Sequence, residues 1–294
     1  MISRLLFWVF CFILPLLTSS LKANEEDPGF VTVKLSGQFG NQLFEVAVAY
    51  AYALDHNLAL TIPDLVSRGA DNTLYNAKKL FLGRVNSYSL PYAPELLWTE
   101  PSFNYAPIPD AKSVELRGYF QSEKYFKHRR KELLDLFQPP AGLKEKILAK
   151  YPFLTKDTLV VGIQIRDYRR EMPNGQYHPT LDRSYFKRAM KLFPKNAVFL
   201  VSSNNYAHAQ ECTEGVRDNV IYLNGEDYIE EFYTLSLCKS FIISNSSFGW
   251  WAAWLSQSSN KKVIAPNPWF APPYDFKMMQ KDIVPEGWVV LNHS

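Results

Sequence analysis

Cysteine is scarce in this chain of 294 residues, which has three, Cys11, Cys212 and Cys238, and no CxxC pair. That spacing excludes a zinc ribbon or a disulfide framework, and Cys238, inside an apolar helical pattern, reads as a packing residue. An excess of one charge sign is also missing. The net charge of +3 is too small to argue for a nucleic-acid partner, yet it is no obstacle to an anionic small ligand. No internal repeat or low-complexity tract is present. Hydrophobic residues make up 47% and charged residues 21%, a folded composition rather than a disordered one. The length suits one large α/β domain or two closely packed lobes.

Apolar residues run unbroken by charge only near the start, over residues 5–17 behind Arg4. A membrane span needs roughly 20 such residues, so residues 1–23 are expected to be a signal peptide or an uncleaved membrane anchor. Arg4 before the run and Glu25, Glu26 and Asp27 after it put the body on the luminal or outer side.

Behind that segment the pattern predicts α/β units. Residues 31–35 alternate β-branched and polar positions and read as a strand, followed by a glycine turn and a helix over 41–56 with Leu43, Phe44, Ala47, Tyr50, Ala51 and Leu54 on one face. Residues 61–112 are Pro-rich and irregular. A strand over 114–120 and a helix over 124–137 lead to Pro139-Pro140, a lobe boundary. In the second half, strands at 159–166, 197–202, 220–223, 241–244 and 262–265 alternate with helices at 182–193, 227–239 and 248–256. This pace implies parallel βαβ units. Two lobes are expected, over 30–140 and 155–294.

In open parallel sheets ligands bind at the carboxyl ends of the strands, so those ends carry the candidates. Gly37-Gln38-Phe39-Gly40-Asn41-Gln42 is a turn at a helix start; it is neither a GxGxxG fingerprint nor a P-loop, and a plain tight turn fits it as well. Arg166 ends a buried strand, where a guanidinium suits a diphosphate and a structural ion pair, with Asp167 for instance, fits equally. Ser202, Ser203, Asn204 and Asn205 follow another strand; their polar groups suit a ribose or base edge, or a helix N-cap. Asn245, Ser246 and Ser247 lead into a helix whose first N–H groups could hold phosphate oxygens, or they simply cap it. Trp250, Trp251 and Trp254 read as core.

In order, Gly37–Gln42 and the stretches 117–126 (RGYFQSEKYF), 232–239 (FYTLSLCK), 243–254 (ISNSSFGWWAAW) and 262–270 (KVIAPNPWF) resemble glycosyltransferase family 11, the α-1,2-fucosyltransferases. The resemblance implies a GT-B-like α/β fold of two Rossmann-like lobes, GDP-fucose as donor, a galactose-containing glycan as acceptor, and inverting transfer with no metal or other cofactor. No DxD-type metal motif occurs in the chain. The family's basic motif, His-x-Arg-Arg-Gly-Asp, falls on Gln164-Ile165-Arg166-Asp167. Its first Arg is kept as Arg166, its His is Gln164, and its second Arg and Gly are not kept in place.

By that resemblance Arg166 would neutralise the leaving phosphate. Asn245, Ser246 and Ser247 would hold the diphosphate, and Ser202 and Asn204 the nucleoside side. Gly37 and Gly40 would let the loop cross the cleft, with Asn41 near the reacting sugar. Glu171, Asp167 and His178 are the candidates for general base. A donor made in the cytosol reaches a luminal body only by import, so a membrane-anchored enzyme of a Golgi-type lumen is expected over a secreted one. Two other readings stay open: a homologue that binds glycan or nucleotide without turnover, and a fucosyltransferase of different linkage.

Overall fold

The computed structural model describes residues 28–66, 73–81, 83–169, 177–223, 227–271 and 280–293. Residues 1–23, read above as signal or anchor, lie outside these. No helix among the described residues is long and apolar enough to cross a membrane.

The described residues form ten strands: β1 (Phe30–Val33), β2 (Ala59–Leu60), β3 (Leu96–Thr99), β4 (Ser113–Arg117), β5 (Val160–Ile165), β6 (Val198–Ser203), β7 (Val220–Tyr222), β8 (Ser240–Ile243), β9 (Val263–Asn267) and β10 (Val289–Asn292). The α-helices are α1 (Phe39–His56), α2 (Thr73–Asn76), α3 (Arg130–Leu136), α4 (Leu143–Lys150), α5 (Arg183–Lys191), α6 (Tyr206–Thr213), α7 (Tyr228–Ser236) and α8 (Ser247–Leu255). The strands make two wholly parallel sheets, ordered β2-β1-β4-β3 and β10-β9-β8-β5-β6-β7. This is the expected α/β architecture of two parallel sheets flanked by helices. Val, Ile and Phe dominate β1, β5 and β8, which are buried along their full lengths, as strands covered on both faces must be.

In the larger sheet β5 comes first in sequence yet lies in the middle. The chain moves outward through β6 and β7, then returns to the other side of β5 as β8. The crevice outside the carboxyl ends of β5 and β8 is therefore a topological switch point, the favoured ligand site of such sheets.

Helices α1 and α8 pack across from each other, and one buried apolar cluster contains residues of both sheets. Phe44 of α1 lies 4.5 Å from Trp250 and 4.9 Å from Trp251 between ring centroids. The three tryptophans are core, as expected, and Cys238 is buried.

Three departures from the sequence reading have physical causes. The helix expected over 124–137 is two 3-10 turns, Glu123–Tyr125 and Lys127–Arg129, followed by α3. Neighbouring Tyr125 and Phe126 are both buried but face different partners: Tyr125 packs edge-on to Phe120, while Phe126 stacks on Trp251. Phe126, between the two turns, has φ −146° and ψ −2°, outside the helical region, so no single helix runs through it. The strand expected over 114–120 stops at Arg117, because Gly118 and Phe120 take positive φ, +148° and +52°. Strands β3 and β10 escaped the reading because both are edge strands of four residues, whose three-residue apolar runs, Leu96–Trp98 and Val289–Leu291, are too short to show a period.

Candidate active site

The first and the last of the described α-helices, α1 and α8, start close together. α1 follows β1, α8 follows β8, and their first turns touch at Gly40. A Cβ on Gly40 would lie 2.5 Å from Ser247 Oγ, 2.6 Å from the Ser247 carbonyl carbon and 2.7 Å from the Phe248 nitrogen. Neither helix is capped by a side chain: Gln38 and Ser246 hold the N-cap positions without a capping bond. Two helix starts with their partial positive charge therefore converge beside the switch point.

Arg166 stands there. Its backbone N–H donates to Ser244 Oγ at 3.0 Å, and its guanidinium donates to Gln38 Oε1 at 3.1 Å, reaching from one sheet's strand end to the other half's helix cap. The guanidinium lies 5.5 Å over the Tyr168 ring, and the Tyr168 hydroxyl donates to the Asn245 carbonyl at 2.8 Å. Gln164 of β5 is in register with Ile243 of β8, so Arg166 and Asn245, each two residues further on, come out side by side.

His178 packs next to Asn245. The Asn245 amide donates to the Trp269 carbonyl at 3.0 Å, which fixes its orientation, and lies 3.4 Å from His178 Nδ1. Asn245 is 1% exposed, and its Oδ1 has no hydrogen-bond donor. Such burial also argues against use of the Asn245-Ser246-Ser247 glycosylation sequon. His178 stacks on Tyr168 at 4.7 Å and packs against Phe270 at 5.1 Å. Burial, aided by the Arg166 charge, brings its imidazole down to about 4. At neutral pH it is uncharged and able to accept a proton.

Other expected site residues are placed differently. Asp167 is buried and gripped by Arg169 through two nitrogens, each at 2.9 Å, and by the Asn205 amide at 2.7 Å. The Arg169 contacts hold its carboxyl far below the usual carboxylate range. It is a structural ion pair and is discounted as the general base. Arg169 is thereby neutralised and does not stand in for the second Arg of the family motif. Ser202, expected to face the nucleoside, is buried and donates to Glu231 Oε2 at 2.6 Å; Asn204 exchanges two hydrogen bonds of 2.8 Å with the Asp167 backbone. Ser202 shapes its strand end from within, while Asn204 is exposed and ties the end of β6 to that of β5. Gly37 (φ +62°) and Gly40 are accounted for by the chain itself, since added Cβ atoms would meet Asn41 and Ser247. Asn41 Oδ1 accepts from the Gln121 amide at 3.0 Å. Ser247 touches the Gly40 turn, and Ser246 keeps its hydroxyl out of any capping bond. Glu171 and Arg170 lie outside the described residues.

The sequence reading missed Gln38, Tyr168, Trp269 and Gln121. Gln38, Gln121 and Trp269 had a signal, their places in the Gly37–Gln42, 117–126 and 262–270 stretches, and Tyr168 had none. Gln164, where the family motif has His, is buried under α8, and a Cβ on Gly249 would lie 2.9 Å from its Oε1. That position packs beneath the helix instead of lining the crevice.

Glu45 is a buried acid of α1 behind the glycine turn. Ser36 donates to it from both backbone and hydroxyl, the latter at 2.6 Å, yet burial pushes its carboxyl up to about 8. A folded-state value above the unfolded one contributes stability that is complete below the unfolded value and is lost as pH rises through the folded one. Thermal melts should therefore show wild type losing stability between about pH 4.5 and 8. Glu45→Gln, which mimics the neutral acid, should melt with wild type at the acid end and several degrees above it on the alkaline side. Parallel melting curves for the two proteins across that window would refute the assignment.

The model for "Glycosyl transferase family 11" matches residues 8–292. An Escherichia coli protein named alpha-1,2-colitosyltransferase is 26% identical over 289 residues, covering 88% of this chain and 98% of its own. Galactoside alpha-(1,2)-fucosyltransferase 2 of Oryctolagus cuniculus is 28% identical over 246 residues, 78% of this chain and 67% of its own. Among solved structures, an Arabidopsis thaliana FUT1 point mutant in complex with GDP superposes with a TM-score of 0.50 at 15% identity, over 82% of this chain and 71% of that one; it supports the GT-B-like fold. With a family match over nearly its whole length, this chain belongs to glycosyl transferase family 11.

Proposed function

We propose that the chain transfers L-fucose from GDP-fucose to a galactoside hydroxyl, forming an α-1,2 linkage with inversion. Both relatives named above are α-1,2 transferases. The observation that carries the reading is the placement of Arg166 at the switch point, facing two helix starts. That field favours a diphosphate and, more strongly, the charge that grows on it as the sugar leaves.

The acceptor oxygen forms a bond to the fucose anomeric carbon while the bond from that carbon to the β-phosphate oxygen breaks. The bonding electrons leave with GDP, and Arg166 stabilises them. The acceptor hydroxyl gives up its proton to a general base, for which His178 and Glu171 are the candidates. Asn245, Ser246 and Ser247 hold the diphosphate, and Asn41 contacts the sugar. No step calls on a metal. The apolar run over residues 5–17 anchors the enzyme to a membrane with its body in the lumen.

The test is a donor panel. GDP-fucose, GDP-mannose and UDP-galactose are each supplied with lactose in the presence of EDTA, and product linkage is read by NMR. GDP-fucose alone should give product, carrying fucose on galactose O2. GDP binding with no turnover would replace this reading with that of a binding homologue, and another linkage would correct the acceptor position.

A further inference from the structure

The segment 118–121 is built with more constraint than a surface turn requires. Gly118 takes φ +148°, where a Cβ would collide with Glu100 Cβ at 2.4 Å. Phe120, a bulky residue, takes φ +52° and is fully buried, packed on Trp98 and Tyr125. The Glu100 carboxylate accepts the backbone N–H groups of both Tyr119 (2.9 Å) and Phe120 (2.8 Å). A strained backbone of this kind persists only where its surroundings over-determine it, and such strain gathers at functional sites.

The product of this constraint is an outward-facing ring. Tyr119 is 38% exposed and lies parallel to Phe103, at an angle of 6° and a centroid distance of 5.9 Å. Phe103 packs on Phe270 at 4.9 Å, and Phe270 on His178 at 5.1 Å. An aromatic row thus runs from the crevice that holds Arg166 and Asn245 out to Tyr119. Two residues past Tyr119, the Gln121 amide donates to Asn41 Oδ1 at 3.0 Å, which ties the 118–121 turn to the start of α1.

Galactose has one ring face made of C–H groups, and that face covers an aromatic ring while the hydroxyls point outward to polar partners. We infer that Tyr119 is the platform on which the terminal galactose of the acceptor rests, and that Glu100 positions it by pinning the turn. This subsite rests on the function proposed above and specifies where its acceptor binds.

The test uses the full chain with lactose as probe, comparing wild type with Tyr119→Ala, Tyr119→Phe and Tyr119→Trp. Tyr119→Ala should raise the lactose KM by about tenfold. The GDP-fucose KM and the acceptor-free release of GDP should stay within about twofold of wild type. Phe and Trp should restore lactose binding, since each supplies a ring face. Saturation-transfer NMR of lactose reads the contact without turnover, and its signal from the galactose ring protons should vanish in Tyr119→Ala. A wild type that binds lactose through Tyr119 but ignores GDP-fucose would uphold the platform and sink the donor assignment. The platform is overturned if lactose does not bind wild type, if Tyr119→Ala binds it as wild type does, or if the GDP-fucose KM rises as much as the lactose KM.

Discussion

Replacing Arg166 with alanine should lower turnover of GDP-fucose by about 10²–10³-fold, the range seen when a group that stabilises transition-state charge is removed. The melting temperature should hardly change. The Arg166 side chain reaches Gln38 Oε1 and lies over Tyr168, and neither contact belongs to the apolar core. The backbone bond to Ser244, which does join β5 to β8, survives the substitution. Arg166→Lys keeps the charge but not the planar fork that meets two phosphate oxygens at once, so it should recover only part of the loss. The loss belongs in kcat more than in the donor KM, because the leaving group gains charge as the bond breaks. Turnover close to wild type in Arg166→Ala would place leaving-group stabilisation elsewhere.

Gly40→Ala should damage both stability and activity. The added methyl meets Ser247 and Phe248 mainly through backbone atoms, which cannot rotate away as a flexible side chain would. Overpacking of this kind costs about 1–3 kcal/mol, or roughly 3–10 °C in melting temperature for a chain of this size. The helix starts must part to relieve it. Because misplacement of about 1 Å can cost on the order of 10² in rate, kcat should fall further than lost folding explains. Gly142→Ala is the control. Gly142 has positive φ, +77°, which Gly40 does not, but nothing lies within 4 Å of its added Cβ, so it should cost a little stability and no turnover. Should Gly40→Ala and Gly142→Ala behave alike, the contact of the two helix starts is not needed for activity.

Much of the fold was legible because β1, β5 and β8 are rich in β-branched and aromatic residues and α1 and α8 begin at marked polar or glycine turns. Strand ends bearing Arg166 and Asn245 stood out for the same reason, since polarity appears abruptly where burial stops. What each polar group does was not legible. Ser202 spends its hydroxyl on Glu231, 29 residues on, and Asp167 its carboxylate on Arg169 and Asn205. Such pairings depend on the three-dimensional arrangement, and local pattern carries no trace of them. The role of Gln38 was unreadable because its partner Arg166 is 128 residues away. His178 was readable as a candidate only by its nearness to Arg166 in sequence; its neutral state comes from Tyr168, Phe270 and the burial they impose.

The most direct measurement is a crystal structure of the chain with GDP bound. The β-phosphate should lie with an oxygen about 2.7–2.9 Å from an Arg166 guanidinium nitrogen, facing the first N–H groups of α8 and the Asn245 turn. A diphosphate bound away from this crevice, with Arg166 still donating to Gln38, would contradict the assignment.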